Sequence, residues 1–384
     1  MKILQKTPLW VIYLLILAGI GFCLVALWRI SSTFAFGGGD FIGYWSATSL
    51  IAHGENPYDF VRMAEFQNAI PTGLDATIMA WNPPLLFVFL LPLSWLPFVV
   101  AKFVWLIINI IIFLSASVIV AHLYMPEDNF NIRLWFLIFA VCLPQTISGI
   151  FMGQITFLVY FGLALGLVLL DRKQFFWAGV ALILTLIKPH LVLLALVYIL
   201  VFTARKKHYE TWYGLAFAGL LCIAILFILR SAWVYDLIGQ TKASPVNWFT
   251  PTVGGLMSYL GVSEMFRLMI LFVLPLPVYL AWFHADANPK VIVAVLTLLT
   301  IPITFFGWSY DQVILLIPIA QIFAWVKLAR SKYVGQVIFV SFVFAAFVLV
   351  AQRVFIKNDL YQLWFPFFIW VVYYFTWKQT FSKQ

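Results

Sequence analysis

The sequence predicts an all-α integral membrane protein, a polytopic helical bundle of about 12 transmembrane helices. Three observations predict it. Of 384 residues, 64% are hydrophobic and only 10% are charged, against about 45–50% and about 25% in soluble domains. The mean hydropathy is +1.03. The apolar residues also fall in long runs separated by short polar loops, as they must if each run crosses about 30 Å of hydrocarbon as a helix of about 20 residues.

Thirteen apolar segments are readable, at roughly 9–30, 85–98, 101–121, 133–148, 154–170, 175–187, 189–204, 211–231, 263–283, 291–306, 311–327, 334–352 and 360–377. Lys2 and Lys6 precede the first, and no small-residue cleavage site follows it, so it reads as an uncleaved helix. Basic residues in short loops mark the cytoplasmic side. Lys2 and Lys6, Arg172-Lys173, Arg205-Lys206-Lys207, Lys290, the Lys327–Lys332 stretch, and Lys378 and Lys383 fall on it, so both termini are expected in the cytoplasm. That requires an even number of crossings. One segment is therefore expected not to cross, either 85–98, hemmed by Pro83, Pro84, Pro92 and Pro97, or 133–148.

The chain reads as a single domain over 1–384, with no internal repeat or low-complexity tract. Its outer face carries a loop at 31–84, where 41–53 and 58–70 have helical composition after the start signals Gly37-Gly38-Gly39-Asp40 and Asn56-Pro57. A second outer loop spans 232–262. The net charge of +9 is scattered among loops, not gathered into a patch, which argues against a nucleic-acid partner. Cys23, Cys142 and Cys222 lie singly in apolar runs, so neither a disulfide framework nor a thiolate metal site is expected.

The polar residues at the outer ends of these segments are the candidates for chemistry. Asp40 either caps the helix that starts at Phe41 or serves as a general base toward a hydroxyl nucleophile. Lys188-Pro189-His190 places a cation where only a partner or a polar cavity makes it tolerable, and an anionic phosphate would suit it; a snorkelling lysine beside a helix-starting proline is the other reading. Asp311, in Trp308-Ser309-Tyr310-Asp311, is a second site carboxylate or a helix-start acid. Gln154, after Gly153, bonds a ligand or a neighbouring helix. Arg353 and Lys357 meet a lipid phosphate or simply end a loop. Tyr44, Trp45, Trp81 and Trp248 are candidates to stack on sugars, or are interface anchors. No DxD pair, no metal-spaced cluster and no nucleotide-binding glycine loop occurs, so neither a metal nor a cofactor is expected.

These motifs, taken in order, resemble a known family. Asp40-Phe41-x-x-Tyr44-Trp45, Gly54-x-Asn56-Pro57-Tyr58-Asp59, Asn82-Pro83-Pro84, Pro92-Leu93-x-x-Leu96-Pro97 and Trp105 are similar to glycosyltransferase family 87. Gly153-Gln154, Ala178-Gly179, Lys188-Pro189-His190 and Tyr310-Asp311 follow in the family's order, so the likeness runs over roughly 40–330. The resemblance implies a GT-C-like membrane fold, a first outer loop with membrane-surface helices, and a polyprenyl-phosphate sugar donor with mannose as the prior. It puts Asp40 in the catalytic position, Lys188 and His190 beside the donor phosphate, and Tyr44, Trp45, Asn82, Gln154, Tyr310 and Asp311 around the substrates. Some relatives carry a histidine where this chain has Trp308-Ser309-Tyr310-Asp311.

The expectation is a metal-independent, inverting hexosyltransferase of the inner (plasma) membrane. Asp40 is its base, its active site is extracytoplasmic, and its acceptor is a glycolipid or glycan hydroxyl. The competing class is a polytopic transporter or flippase of lipid-linked sugars, which more often shows an internal repeat and paired broken helices.

Overall fold

A computed structural model describes residues 37–70, 76–125, 130–243, 248–329, 332–356 and 358–381. The first apolar segment, 9–30, and the expected cytoplasmic N-terminus lie outside the described residues. Among the described residues every regular element is helical.

Five helices are long and apolar enough to cross a membrane: Phe98–Tyr124, Glu210–Leu229, Glu264–Phe283, Ser309–Leu328 and Tyr333–Ile356. A sixth is made if Phe130–Cys142 and Pro144–Met152, bent by 51°, form one span. Among the described residues five to six helices are therefore long enough to cross unaided, fewer than the about twelve crossings expected from the sequence. Several predicted segments fold as shorter apolar helices, among them Thr156–Asp171, Phe175–Ile187, Leu193–Arg205 and Pro289–Ile303. Both candidates for the non-crossing segment are irregular. One is the ten-residue helix Leu85–Ser94, and the other is the bent pair.

The short helices have a common cause. They stop at Gly153-Gln154, at Lys188-Pro189 and at Thr304, and these breaks meet one another. Lys188 Nζ donates to the Gln154 side chain at 3.1 Å and to Thr156 at 3.2 Å, and the Thr304 hydroxyl donates to the His190 carbonyl at 2.8 Å. Irregular backbone at membrane depth is tolerated where it lines a cavity, because polar side chains there satisfy it. The Ser309–Leu328 helix is central, 72% buried against 22–39% for the other four.

Both outer-loop helices form, at Phe41–Ala52 and Phe60–Asn68. The first does not lie on a surface, as the resemblance implied. Every residue from Phe41 to Ile51 is buried, and a Cβ on Gly43 would stand 2.7 Å from the Ile78 carbonyl oxygen. The second is exposed on one side, and Asp59 caps it by accepting from the amides of Val61 at 2.9 Å and Arg62 at 3.1 Å. Its buried Gln67 side chain donates to the Ile78 carbonyl at 2.8 Å and accepts from the Ile78 amide at 2.9 Å, tying the segment before Trp81 to this helix.

The helices Phe175–Leu182 and Glu210–Leu229 approach each other backbone to backbone. A Cβ on Gly179 would sit 1.9 Å from the Thr211 carbonyl oxygen, and one on Gly214 would sit 1.9 Å from that of Phe176. Each glycine therefore faces the other helix's backbone, which has no rotamer to yield. Gly214→Ala is expected to destabilise the protein by about 1–3 kcal/mol or more, read as a lower melting temperature in detergent. An unchanged melting temperature would show that the pair does not hold the two helices together.

Candidate active site

The site begins with a left-handed turn. Gly153 adopts φ +67°, and a Cβ there would lie 2.6 Å from the Gly37 carbonyl oxygen, so only glycine fits. The turn is docked on two sides. Gly37 and Asp40 donate their amides to the carbonyls of Phe151 at 2.7 Å and Met152 at 2.9 Å. Trp105 Nε1 donates to the Gly153 carbonyl at 2.8 Å, and Asn109 Nδ2 donates to that of Gln154 at 2.9 Å. These backbone bonds bring Asp40 and Gln154 together across 114 residues of chain.

Asp40 makes no side-chain cap bond to its own helix. Its Oδ2 accepts from Gln154 Nε2 and, at 3.0 Å, from the Tyr310 hydroxyl. The Gln154 amide thus turns its donors toward a carboxylate. Its oxygen accepts from Lys188 Nζ at 3.1 Å and from the Tyr44 hydroxyl at 3.2 Å. Lys188 also donates to Thr156 Oγ1 at 3.2 Å and to Asp311 Oδ1 at 2.9 Å, so its three ammonium protons are all used. The pair is enclosed, with side chains 8% and 3% exposed. Asp311 Oδ1 accepts from Thr156 as well, and its Oδ2 accepts from the Trp308 amide at 2.9 Å. Its helix-start role and its ion-pair role coexist.

A cleft of about 1400 Å³ opens on this network, with Asp40, Tyr44, Lys188, His190, Tyr310 and Asp311 in its wall. One side is aromatic. The rings of Trp81 and Trp248 stand edge to face at 6.0 Å, and Trp248 also meets Phe306 at 6.1 Å and Trp308 at 5.8 Å. Asn82 lines the cleft, and its carbonyl accepts from the Tyr58 hydroxyl at 2.9 Å. On the far side Asp359 accepts from Ser309 Oγ at 2.7 Å and pairs with Arg353. Trp45 has a different place from the one expected. It is not among the lining residues; its Nε1 donates to the Leu93 carbonyl at 3.0 Å and its ring packs on Phe98 at 5.4 Å.

Burial raises the Asp40 carboxyl above the ordinary aspartate value, an effect that Lys188 and the Tyr310 hydroxyl partly offset. His190 lines the same cleft, and its backbone carbonyl accepts from the Thr304 hydroxyl at 2.8 Å. Among the described residues three carboxylates face the cleft, and they differ in what remains open. Both oxygens of Asp311 and both of Asp359 are engaged, whereas among the described residues nothing donates to Oδ1 of Asp40.

Sequence reasoning had no signal for Thr156, whose importance lies in contacts 32 and 155 residues away. Nor did it single out Asp359. Arg267 also escaped notice. It is buried, donates to the Trp248 and Phe305 carbonyls and lies 4.6 Å over the Phe306 ring, bracing the aromatic wall from behind.

No curated protein and no solved structure matches the chain. The family model for glycosyltransferase family 87 matches residues 81–351. The matched stretch starts later than the motifs at Asp40 and Asn56-Pro57, and it contains Gln154, Thr156, Lys188, His190, Tyr310 and Asp311. It covers well over half of a chain whose apolar helices, with a cleft walled by charged and aromatic side chains, suit work at a bilayer, and on that ground this membrane protein belongs to glycosyltransferase family 87.

Proposed function

We propose that this membrane glycosyltransferase moves a hexose from a polyprenyl-phosphate sugar to a hydroxyl of a glycolipid or glycan at the extracytoplasmic face, with inversion. The observation that carries the reading is the open Oδ1 of Asp40 in a cleft where, among the described residues, the other carboxylates are engaged. An acceptor hydroxyl donates to Oδ1. As its oxygen bonds to the anomeric carbon, the proton passes to Asp40 and the bond from that carbon to the phosphate oxygen breaks, its electron pair leaving with polyprenyl phosphate. With one free carboxylate and, among the described residues, no second one available as a nucleophile, a single displacement follows. Tyr310 and Gln154 fix the carboxylate through Oδ2, leaving the other oxygen for substrate. Lys188 neutralises Asp311 and orients Gln154. The tryptophan wall suits the faces of sugar rings. Mannose is the sugar that the resemblance implies.

The test is transfer from radiolabelled polyprenyl-phosphate mannose to a lipid or glycan acceptor by the purified protein, with the anomeric configuration of the product read by NMR. Inversion is expected, and retention would remove the single-displacement mechanism. The pH dependence is a second check. The base works when deprotonated, so kcat/KM should rise with pH through the carboxyl's pKa. Because burial raises that pKa, the acid limb should be centred above the ordinary aspartate value of 3.8. A limb at or below that value would assign the titration to another group.

A further inference from the structure

Lys188 is the cation that sequence logic offers to the donor phosphate, yet its three protons already have acceptors: Gln154, Thr156 and Asp311. The charge around it is also unfavourable. Among the described residues Asp40 and Asp311 set two negative charges against one ammonium, so the enclosed end of the cleft repels an anion. Arg353 differs on both counts. It lines the same cleft, its side chain is 46% exposed, and among the described residues only its Nη1 has a partner, Asp359. A guanidinium carries five N–H donors in a planar fork that matches phosphate oxygens two at a time. Asp359 anchors it without neutralising that capacity, and Asp359 is itself held by Ser309, one residue before Tyr310. Both Arg353 and Asp359 lie beyond the stretch that the family model matches.

We infer that Arg353, braced by Asp359 on Ser309, is the ligand for the phosphate of the lipid-linked substrate, at the more open end of the cleft. This rests on the proposed lipid-phosphate donor. It separates the roles of the two cations: Arg353 meets the phosphate, and Lys188 organises the carboxylates. As the bond to the anomeric carbon breaks, the phosphate gains negative charge, and a forked donor with free N–H groups meets that change directly.

The experiment is calorimetric titration of the full-length protein in nanodiscs with farnesyl phosphate, farnesol, inorganic phosphate and short-chain phosphatidylglycerol. Arg353→Ala is expected to weaken farnesyl phosphate at least tenfold and leave farnesol unchanged, with Arg353→Lys falling between. Because Arg353 is half exposed, these variants should fold, which an unchanged melting temperature checks. Farnesyl phosphate binding that survives Arg353→Ala within twofold would overturn the inference while leaving the donor class intact. An equal loss for inorganic phosphate or phosphatidylglycerol would overturn it in favour of a free-phosphate or headgroup site. Failure of the wild-type protein to bind farnesyl phosphate would instead sink the lipid-phosphate donor, and the inference with it.

Discussion

Asp40→Asn is expected to lower the rate of sugar transfer by about 10²–10⁴-fold, the usual contribution of a positioned general base. The substitution is nearly isosteric. An asparagine at this position still accepts from the Tyr310 hydroxyl, so the turn that carries residue 40 should keep its place against Met152 and Gly153. What it loses is an oxygen able to take a proton from the acceptor. The effect should therefore appear in kcat, with the melting temperature and farnesyl phosphate binding near their wild-type values. Tyr310→Phe offers the contrast. It removes one hydrogen bond to Oδ2, at 3.0 Å, and leaves Oδ1 untouched, so its loss should be much smaller. Single-turnover transfer with a saturating lipid-linked sugar separates the two. If Asp40→Asn turned over at nearly the wild-type rate, Asp40 would be a structural carboxylate, and the base would have to be sought elsewhere.

The two parts of this site were unequally legible in the sequence. Asp40, Gln154, Lys188 and Asp311 stood out because polar residues break apolar runs there, and a membrane tolerates such breaks only with partners at hand. Local rules also sufficed for the two helices after Asp40, since the triple glycine and Asn56-Pro57 mark their starts. Other features depend on contacts that no local rule supplies. A threonine such as Thr156 carries no signal at the head of an apolar helix, and only the fold shows it bridging Lys188 and Asp311. Trp45 sits one residue from Tyr44, yet on a helix adjacent residues point about 100° apart, so Tyr44 reaches Gln154 while Trp45 packs toward Leu93 and Phe98. The lengths of the helices were hidden for a related reason. Hydropathy registers that a stretch is apolar, whereas the breaks at Gly153, Lys188 and Thr304 shorten helices to serve a cleft that is assembled from distant parts of the chain.

The Lys188–Asp311 pair decides whether Lys188 organises the site or grips substrate. Both side chains are almost wholly enclosed. Removing either one alone leaves an uncompensated charge, which typically costs about 3–5 kcal/mol. Lys188→Met is therefore expected to destabilise the protein strongly and to take activity down with it, so the single variant cannot tell the two roles apart. The double variant Lys188→Met with Asp311→Leu can. It removes both charges and fills their space with apolar groups, and replacement of a buried pair in that way is often neutral or better. Stability should recover to well above that of either single variant, a coupling that thermal unfolding of all four proteins measures directly. If Lys188 acts by neutralising Asp311 and steadying Gln154, the recovered protein should bind farnesyl phosphate with wild-type affinity, while its transfer rate stays low because the Gln154 oxygen has lost its ammonium partner. If the recovered protein instead folds but has lost farnesyl phosphate binding, the ammonium is itself a phosphate ligand, and the division of labour between Lys188 and Arg353 fails.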